Sequence, residues 1–316
     1  MNILIFIQSE ENKISRSSIE AVCGMQKVCN ENDTISTVSF NSEINNELEQ
    51  YNINTNYFIN GLDDFHPIKY VSALEQVINE KKPDIVAFAH TYQARDWVPR
   101  LSARLDMPFI SDCIDINTNN GNIICTKQMY QGKVNADICS KSPVIISFQS
   151  GAFRADEIKQ GNAQTQELTV GVDDNNTIKP LDKFKDSKGD VDLSSANIIV
   201  SVGRGISKEE NMPLVEELSK SLSAEIGSSR PVVDYGWLPH ERQVGSSGQV
   251  VTPKLYLAVG ISGAIQHQVG MKGSDNIMAI NKDPKAPIFE IADYGIVGDL
   301  FEIIPKLTEL IKNHQS

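Results

Sequence analysis

The residues best suited to chemistry gather in the second half of the chain, where apolar runs give way to turns or helices. Val202-Gly203-Arg204-Gly205 closes an apolar run and opens a helical pattern. Glycines at such a junction let a phosphate approach the backbone and the helix N-terminus. A tight turn without ligand has the same composition, and the third glycine of a GxGxxG loop is replaced by Lys208. Gly227-Ser228-Ser229-Arg230-Pro231 sets an arginine between serines and a proline, suited to an anionic group or to a surface turn. Gln243-Val244-Gly245-Ser246-Ser247-Gly248 offers amides and two hydroxyls that could wrap a polar ligand. The sharpest run is Gly260-Ile261-Ser262-Gly263-Ala264-Ile265-Gln266-His267, a glycine turn leading into a short helix that presents amides to an anion with Gln266 and His267 beside it. Asn281-Lys282-Asp283-Pro284 ends a strand, where a parallel sheet places its ligand contacts. Asp299-Leu300 starts the last helix, a position that favours an acid for dipole reasons alone.

Each stretch admits a purely structural reading, but their concentration at strand ends favours one large phosphate-bearing cofactor over unrelated turns. There is no HExxH or HxxxH, and His66, His90, His240 and His314 are scattered, so no metal site is expected. No Ser–His–Asp arrangement, GKS/T loop or carboxylate pair stands out either, which favours a carrier over a hydrolase.

The elements that must position these residues read as two α/β units. Asn2–Gln8 is a strand, Ser15–Cys29 a helix, Thr34–Phe40 and Tyr57–Asn60 strands, Ile68–Asn79 a helix, Asp84–Ala89 a strand and Arg95–Leu105 a helix in which Pro99 is tolerable only in the first turn. That rhythm predicts a mostly parallel sheet. Phe109–Ile116, Asn122–Tyr130, Lys133–Cys139 and Pro143–Gln149 follow without helices between them and should pair as hairpins. Residues 173–192 are polar and turn-rich, a linker by composition. The expected domains are 1–190 and 191–316. The second holds strands at Asn197–Val202, Leu255–Val259 and Asn276–Asn281, short helices, and a final helix from about Val297 to Lys312.

Composition narrows the class. The chain has 316 residues, 40% hydrophobic, and a net charge of −12, which argues against nucleic acid. Its longest apolar runs are strand-sized, well short of the ~20 residues of a membrane helix. The apolar start Met1–Ile7 reads as a first strand and not a leader. Five cysteines without CxxC spacing fit core positions in a reducing cytoplasm.

Leu255–His267 resembles the signature of the electron transfer flavoprotein alpha subunit, as do Gly203-Arg204-Gly205, Ser229-Arg230, Ala279–Pro284 and Ala292-Asp293-Tyr294-Gly295-Ile296-Val297. The likeness is closest over about 198–312. It continues more loosely in the first part, where Pro108-Phe109-Ile110-Ser111-Asp112 resembles the family's Pro-Ile-Ser-Asp element. The resemblance implies two Rossmann-like domains, the first with an antiparallel β extension and the second a parallel-sheet FAD-binding domain. It implies a heterodimer with a beta subunit that carries AMP or a second FAD. Electrons would come from acyl-CoA or other flavoprotein dehydrogenases and leave one at a time for an acceptor such as a quinone oxidoreductase. Carried over by position, the FAD contacts would be Arg204, Ser229, Arg230, Val244, Gly245, Ser246, Ser247, Ser262, Gly263, Ala264, Ile265, Gln266, His267, Asn281, Asp299 and Leu300. Arg230 would lie over the isoalloxazine, His267 near its N1–C2 carbonyl edge, and Ser247 would donate to N5. The Gly-Ser-Ser-Gly loop stands where other members have Gly-Gln-Thr-Gly, so Ser247 keeps the hydroxyl while Ser246 departs from the pattern. An electron-bifurcating subunit, a nucleotide-binding sensor and an NAD(P)-dependent oxidoreductase are the alternatives.

Overall fold

The computed structural model describes the chain except for Glu11, Asp63, Gln131 and residues 173–177, 179–180, 182–192, 194–195 and 316. Its contacts divide into two compact units, Met1–Phe184 and Lys185–Ser316. The polar stretch 173–192 lies almost wholly outside the described residues.

The first unit runs β1 (Asn2–Ile7), a two-residue hairpin β2 (Ser9–Glu10) and β3 (Lys13–Ile14), α1 (Arg16–Val28), β4 (Thr34–Ser39), the single turn α2 (Asn45–Leu48), β5 (Thr55–Ile59), α3 (Pro67–Lys81), β6 (Ile85–Ala89) and α4 (Tyr92–Leu105). It continues with β7 (Phe109–Asn119), β8 (Asn122–Met129), β9 (Val134–Lys141), β10 (Val144–Phe148) and β11 (Gln164–Leu168). Nine of these strands form one sheet in the order β11-β5-β4-β1-β6-β10-β7-β8-β9. Because successive side chains of a strand face opposite ways, β1 feeds two cores. Ile3, Ile5 and Ile7 pack with Ala21, Val22 and Met25 of α1. Leu4 and Phe6 pack with Tyr70 and Leu74 of α3 and Trp97 and Leu101 of α4.

Three expectations need correction. The helix expected from Arg95 begins at Tyr92, because the Thr91 hydroxyl accepts the Ala94 N–H at 3.0 Å and caps it there. Pro99 therefore sits mid-helix, and its lost hydrogen bond is outweighed by the complete burial of Trp97, Val98 and Leu101. Second, β7–β8–β9 do form antiparallel hairpins, but β10 does not join them. It pairs parallel between β6 and β7. Val144–Phe148 is buried throughout, which demands a central place, whereas β9 is mostly exposed and takes the edge. Third, β11 was not foreseen: Gln-Thr-Gln-Glu-Leu has no apolar alternation and is held by backbone pairing to β5.

β7 changes partners along its length, parallel to β10 over Phe109–Cys113 and antiparallel to β8 from Cys113 to Asn119. The register shifts here, and Asp112 takes φ 62°.

The second unit holds β12 (Ile198–Val202), α5 (Met212–Leu222), β13 (Glu225–Ser228), α6 (Arg230–Asp234), β14 (Leu255–Val259), α7 (Ile265–Gln268), β15 (Ile277–Asn281), β16 (Tyr294–Val297) and α8 (Leu300–Gln315). Its sheet is parallel throughout, in the order β13-β12-β14-β15-β16. The chain leaves β12 to one side for β13 and returns to its other side for β14. The loops after β12 and β14 thus diverge at a topological switch point, where open parallel sheets bind ligands. The last helix starts later than expected: Val297 belongs to β16, and Asp299 Oδ1 accepts the Phe301 N–H at 2.9 Å.

Trp97 is fully buried, with ring contacts to Phe6 at 5.0 Å, Phe88 at 5.3 Å and Tyr70 at 5.6 Å. Trp97→Ala should therefore lower the unfolding free energy of the first unit by about 3–5 kcal/mol, read from urea titration of near-ultraviolet circular dichroism.

Candidate functional site

Two strand-end turns of the second unit pass each other at backbone distance. Gly203 N–H donates to Val259 O at 2.8 Å, and Gly205 N–H donates to Gly260 O at 3.0 Å. A Cβ on Gly203 would lie 2.3 Å from Gly260 O, and one on Gly205 would lie 2.7 Å from Gly260 Cα. The room these glycines leave is filled by protein, so Gly203 serves the turn. Beyond the crossing opens a cavity of about 760 Å³, walled by Arg204 and Gly205 on one side and Gly260, Ile261 and Ser262 on the other.

The turn after β13 adds Ser229, Arg230 and Pro231. Arg230 is 68% exposed at its side chain and lies 3.4 Å from Asp234. Loop 243–249 forms a further wall with Gln243, Val244, Gly245, Ser246 and Ser247. It is pinned to α7 by Ser246 N–H donating to Gln266 O at 2.8 Å. Gly245 allows this approach: its φ is 140°, and a Cβ there would meet Gln266 O at 2.8 Å. Gln243, almost fully buried, donates Nε2–H to Ser247 Oγ at 3.0 Å, which leaves the serine proton free to point outward.

Ala264, Gln266 and His267 bring α7 to the cavity, and Asn281 and Lys282 bring the end of β15. Asn281 Nδ2 is committed to Ile261 O at 2.8 Å, so this side chain braces the β14 turn. His267 is 6% exposed, and its Nε2 lies 2.9 Å from the Tyr256 hydroxyl. Its Nδ1 is buried and has no hydrogen-bond partner among the described residues. Burial pulls the imidazole down to about 4, against a weaker opposing effect of the Val244 backbone. His267 is therefore a neutral group at physiological pH. Desolvation keeps it so, and leaves hydrogen bonding as what this side chain can offer.

Most of the expected contact residues thus share one cavity. Gly263, Ile265, Asp299 and Leu300 are not brought to its wall. Gly263 packs under Ile288, Ile265 points partly to solvent, Asp299 caps α8, and Leu300 is buried in the core beside Val202 and Val259. Sequence reasoning missed Gln243 and Tyr256, whose polar ends lie beneath the surface that motifs describe. A buried tyrosine within an apolar run was the available signal, since such a hydroxyl needs a partner.

In the first unit, Ser147, His90 and Asp112 do come together, an arrangement invisible in the sequence. Ser147 Oγ lies 2.8 Å from His90 Nδ1, and His90 Nε2 lies 3.9 Å from Asp112 Oδ1. Ser147 is 1% exposed and accepts the Asp112 N–H at 3.2 Å. It braces the β7 irregularity and has no access to a substrate. Among the described residues no group of three or more His, Cys, Asp or Glu side chains could hold a metal ion, all five cysteines are free, and no helix is long and apolar enough to cross a membrane.

A parallel sheet with a large cavity at its switch point, rimmed by guanidinium groups, backbone amides and hydroxyls, defines a binding domain for a nucleotide-type cofactor. Residues 3–173 match the family model described as "Electron transfer flavoprotein domain", and residues 192–272 match "Electron transfer flavoprotein FAD-binding domain". The electron transfer flavoprotein subunit alpha of Bacillus subtilis (strain 168) is 42% identical over 77% of this chain and 75% of that one. Its counterpart from Thermoanaerobacterium thermosaccharolyticum is 35% identical over 98% of both. The acryloyl-CoA reductase electron transfer subunit beta of Anaerotignum propionicum is 38% identical over 77% of this chain and 75% of its own length. The chain belongs to the electron transfer flavoprotein alpha-subunit family, and its cofactor is FAD.

The cavity fits that cofactor. Its volume falls in the range of about 300–1,000 Å³ usual for small-molecule sites. Arg204 and Arg230 bring fixed positive charge to its wall, which suits an anionic cofactor. The unpartnered buried Nδ1 of His267 is the kind of polar atom that a native structure retains for a reason.

The neutral histidine has a pH signature. Unfolding restores it to its ordinary value of 6.5, so the unfolded chain binds more protons between about pH 6.5 and 4. Stability should be full above pH 6.5 and fall as the pH drops toward 4, by up to about 1.4 kcal/mol per pH unit. His267→Gln should remove that part of the slope in urea titrations across the window.

Proposed function

We propose that this chain is the FAD-carrying half of a heterodimer with an electron transfer flavoprotein beta subunit. In this reading it takes electrons from acyl-CoA or other flavoprotein dehydrogenases and passes them one at a time to an acceptor such as a quinone oxidoreductase, within the cytoplasm. It is a carrier and turns over no substrate of its own. The observation that carries this is the single cavity into which Arg204, Arg230, Ser247 and His267 converge at the sheet's switch point. When bound, the flavin supplies the electron acceptance and release, and the protein binds, orients and tunes it.

Under this reading Arg204 holds phosphate oxygens, the Ser247 hydroxyl donates at N5, and the neutral His267 meets the N1–C2 carbonyl edge. Unit 1 serves subunit contact and docking. Its outer strand β9 exposes Val134 and Ile138, and an unpaired edge of this kind suits strand-to-strand contact. Gly263, Ile265, Asp299 and Leu300 support the site from behind, through the turns that Ser262 and the start of α8 make. A second reading, in which electrons run toward an acyl-CoA-linked reductase, is favoured by the likeness to the acryloyl-CoA reductase subunit.

Co-expression with the beta subunit, followed by flavin counting, tests the proposal. One FAD per heterodimer is expected, with AMP in the partner. Two flavins would assign a bifurcating complex, and a colourless protein or no co-purifying chain would overturn the reading. Arg230→Ala should lower the first-electron potential with FAD retained. A hydrogen bond to a charged group contributes about 1.5–3 kcal/mol, and one electron gives about 59 mV per tenfold shift, so full strength corresponds to roughly 65–130 mV. Arg230 is exposed and shared with Asp234, which puts the expected change at the lower end or below. Potentiometry decides.

A further inference from the structure

We propose that Tyr256 is the positioning residue for His267: its phenol donates to Nε2 and thereby fixes the imidazole with its proton on Nδ1. The inference rests on reading the cavity as the FAD site, which flavin content tests separately.

Tyr256 and His267 are the paired polar side chains of an otherwise apolar cluster. Tyr256 lies in β14 and is fully buried among Val244, Ile261 and Met271, and its hydroxyl is 2.9 Å from His267 Nε2. Either group could donate in that contact, since the imidazole has two tautomers. The surroundings choose between them. A buried phenol keeps its proton, because burial penalises the phenolate, and a buried imidazole stays neutral for the matching reason. One proton is therefore on the oxygen and one on the ring. If Nε2 carried the ring proton, Nδ1 would present a bare lone pair in a buried position where no described donor meets it. A ring proton on Nε2 would also leave the phenol proton with no described acceptor, because the Tyr256 hydroxyl is placed against His267 Nε2. With Tyr256 as donor, Nε2 uses its lone pair on the phenol and Nδ1 keeps the N–H.

Ser201 stands on β12 opposite Ala258, two residues along from Tyr256 and therefore on the same sheet face. Its buried hydroxyl has no hydrogen-bond partner among the described residues, so the Tyr256 contact is the one that fixes the ring. The ring cannot rotate or exchange tautomers without breaking a buried hydrogen bond. This is what a residue presenting one N–H to a cofactor requires.

The test uses the FAD-loaded heterodimer with [15N]histidine labelling and long-range proton–nitrogen correlation spectra, in which a protonated ring nitrogen resonates far from a bare one. His267→Gln assigns the signals. The wild type should show His267 with Nδ1 protonated and Nε2 bare at neutral pH. Tyr256→Phe should give a mixture or a switch to Nε2–H, with at least a threefold change in the first-electron equilibrium at unchanged FAD content. Ser201→Ala should leave the tautomer in place, because the phenol still donates. A wild type carrying the proton on Nε2 would overturn the proposal, as would an unaltered tautomer in Tyr256→Phe or a switched one in Ser201→Ala. The wild-type spectrum and Ser201→Ala decide the matter if Tyr256→Phe does not fold. Flavin content on the same samples tests the FAD reading separately.

Discussion

Gly203 and Gly205 press their backbones against Gly260 at separations no side chain would permit. That contact sets the distance between the β12 and β14 turns. It thereby sets how far Arg204 stands from Ser262 and the α7 segment beyond it. Loop 243–249 repeats the device against Gln266 through Gly245. The cavity is thus framed by main chain held to main chain, and the chemistry-bearing side chains hang from that frame. Side-chain packing alone adjusts in fractions of an ångström to many substitutions. Backbone crossings of this kind adjust to almost none.

Charge is distributed in layers around the same frame. The chain as a whole carries −12, yet Arg204, Arg230 and Lys282 sit on the cavity wall. Beneath them the polar groups Gln243, Tyr256 and His267 are buried, and His267 is neutral. The layering separates two tasks. Exposed cations attract and hold an anionic ligand with solvent nearby, while buried neutral dipoles keep fixed directions at low dielectric. The acidic exterior acts on how fast partners meet and which of them stay.

The architecture was legible wherever periodicity and burial agree. The apolar runs of β1, β6, β12 and β14, with glycine turns after the last two, point to parallel sheets and to their carboxyl ends. What failed to show was governed by partners distant in sequence. Val144–Phe148 looks like one more hairpin strand until the demand for burial on both faces is weighed against the polar β9. Gln164–Leu168 carries no apolar alternation, and its neighbour β5 holds it mainly through the backbone ladder, with Leu168 alone against the core. The candidate site was legible as a set of turns and illegible as a hydrogen-bond order. The side chains of Asp299 and Leu300 go to a helix cap and to the core, which the residue types alone do not distinguish from a ligand contact. Gln243 reads as part of a ligand-wrapping loop and Tyr256 as part of an apolar strand, and neither pattern shows their contacts to Ser247 and His267.

β7 belongs to two pairings at once, its first half laid parallel to β10 and its second half antiparallel to β8. The β8–β9 hairpin consequently has no seam of its own along which to come away. Local opening of the hairpin must either stop at the irregularity braced by Ser147, His90 and Asp112 or carry on into the central strands. Amide exchange in the inner hairpin strand is tied to that of β10 and β6 for every opening that passes the irregularity, and tension that crosses it is borne by the most deeply buried strands of the sheet.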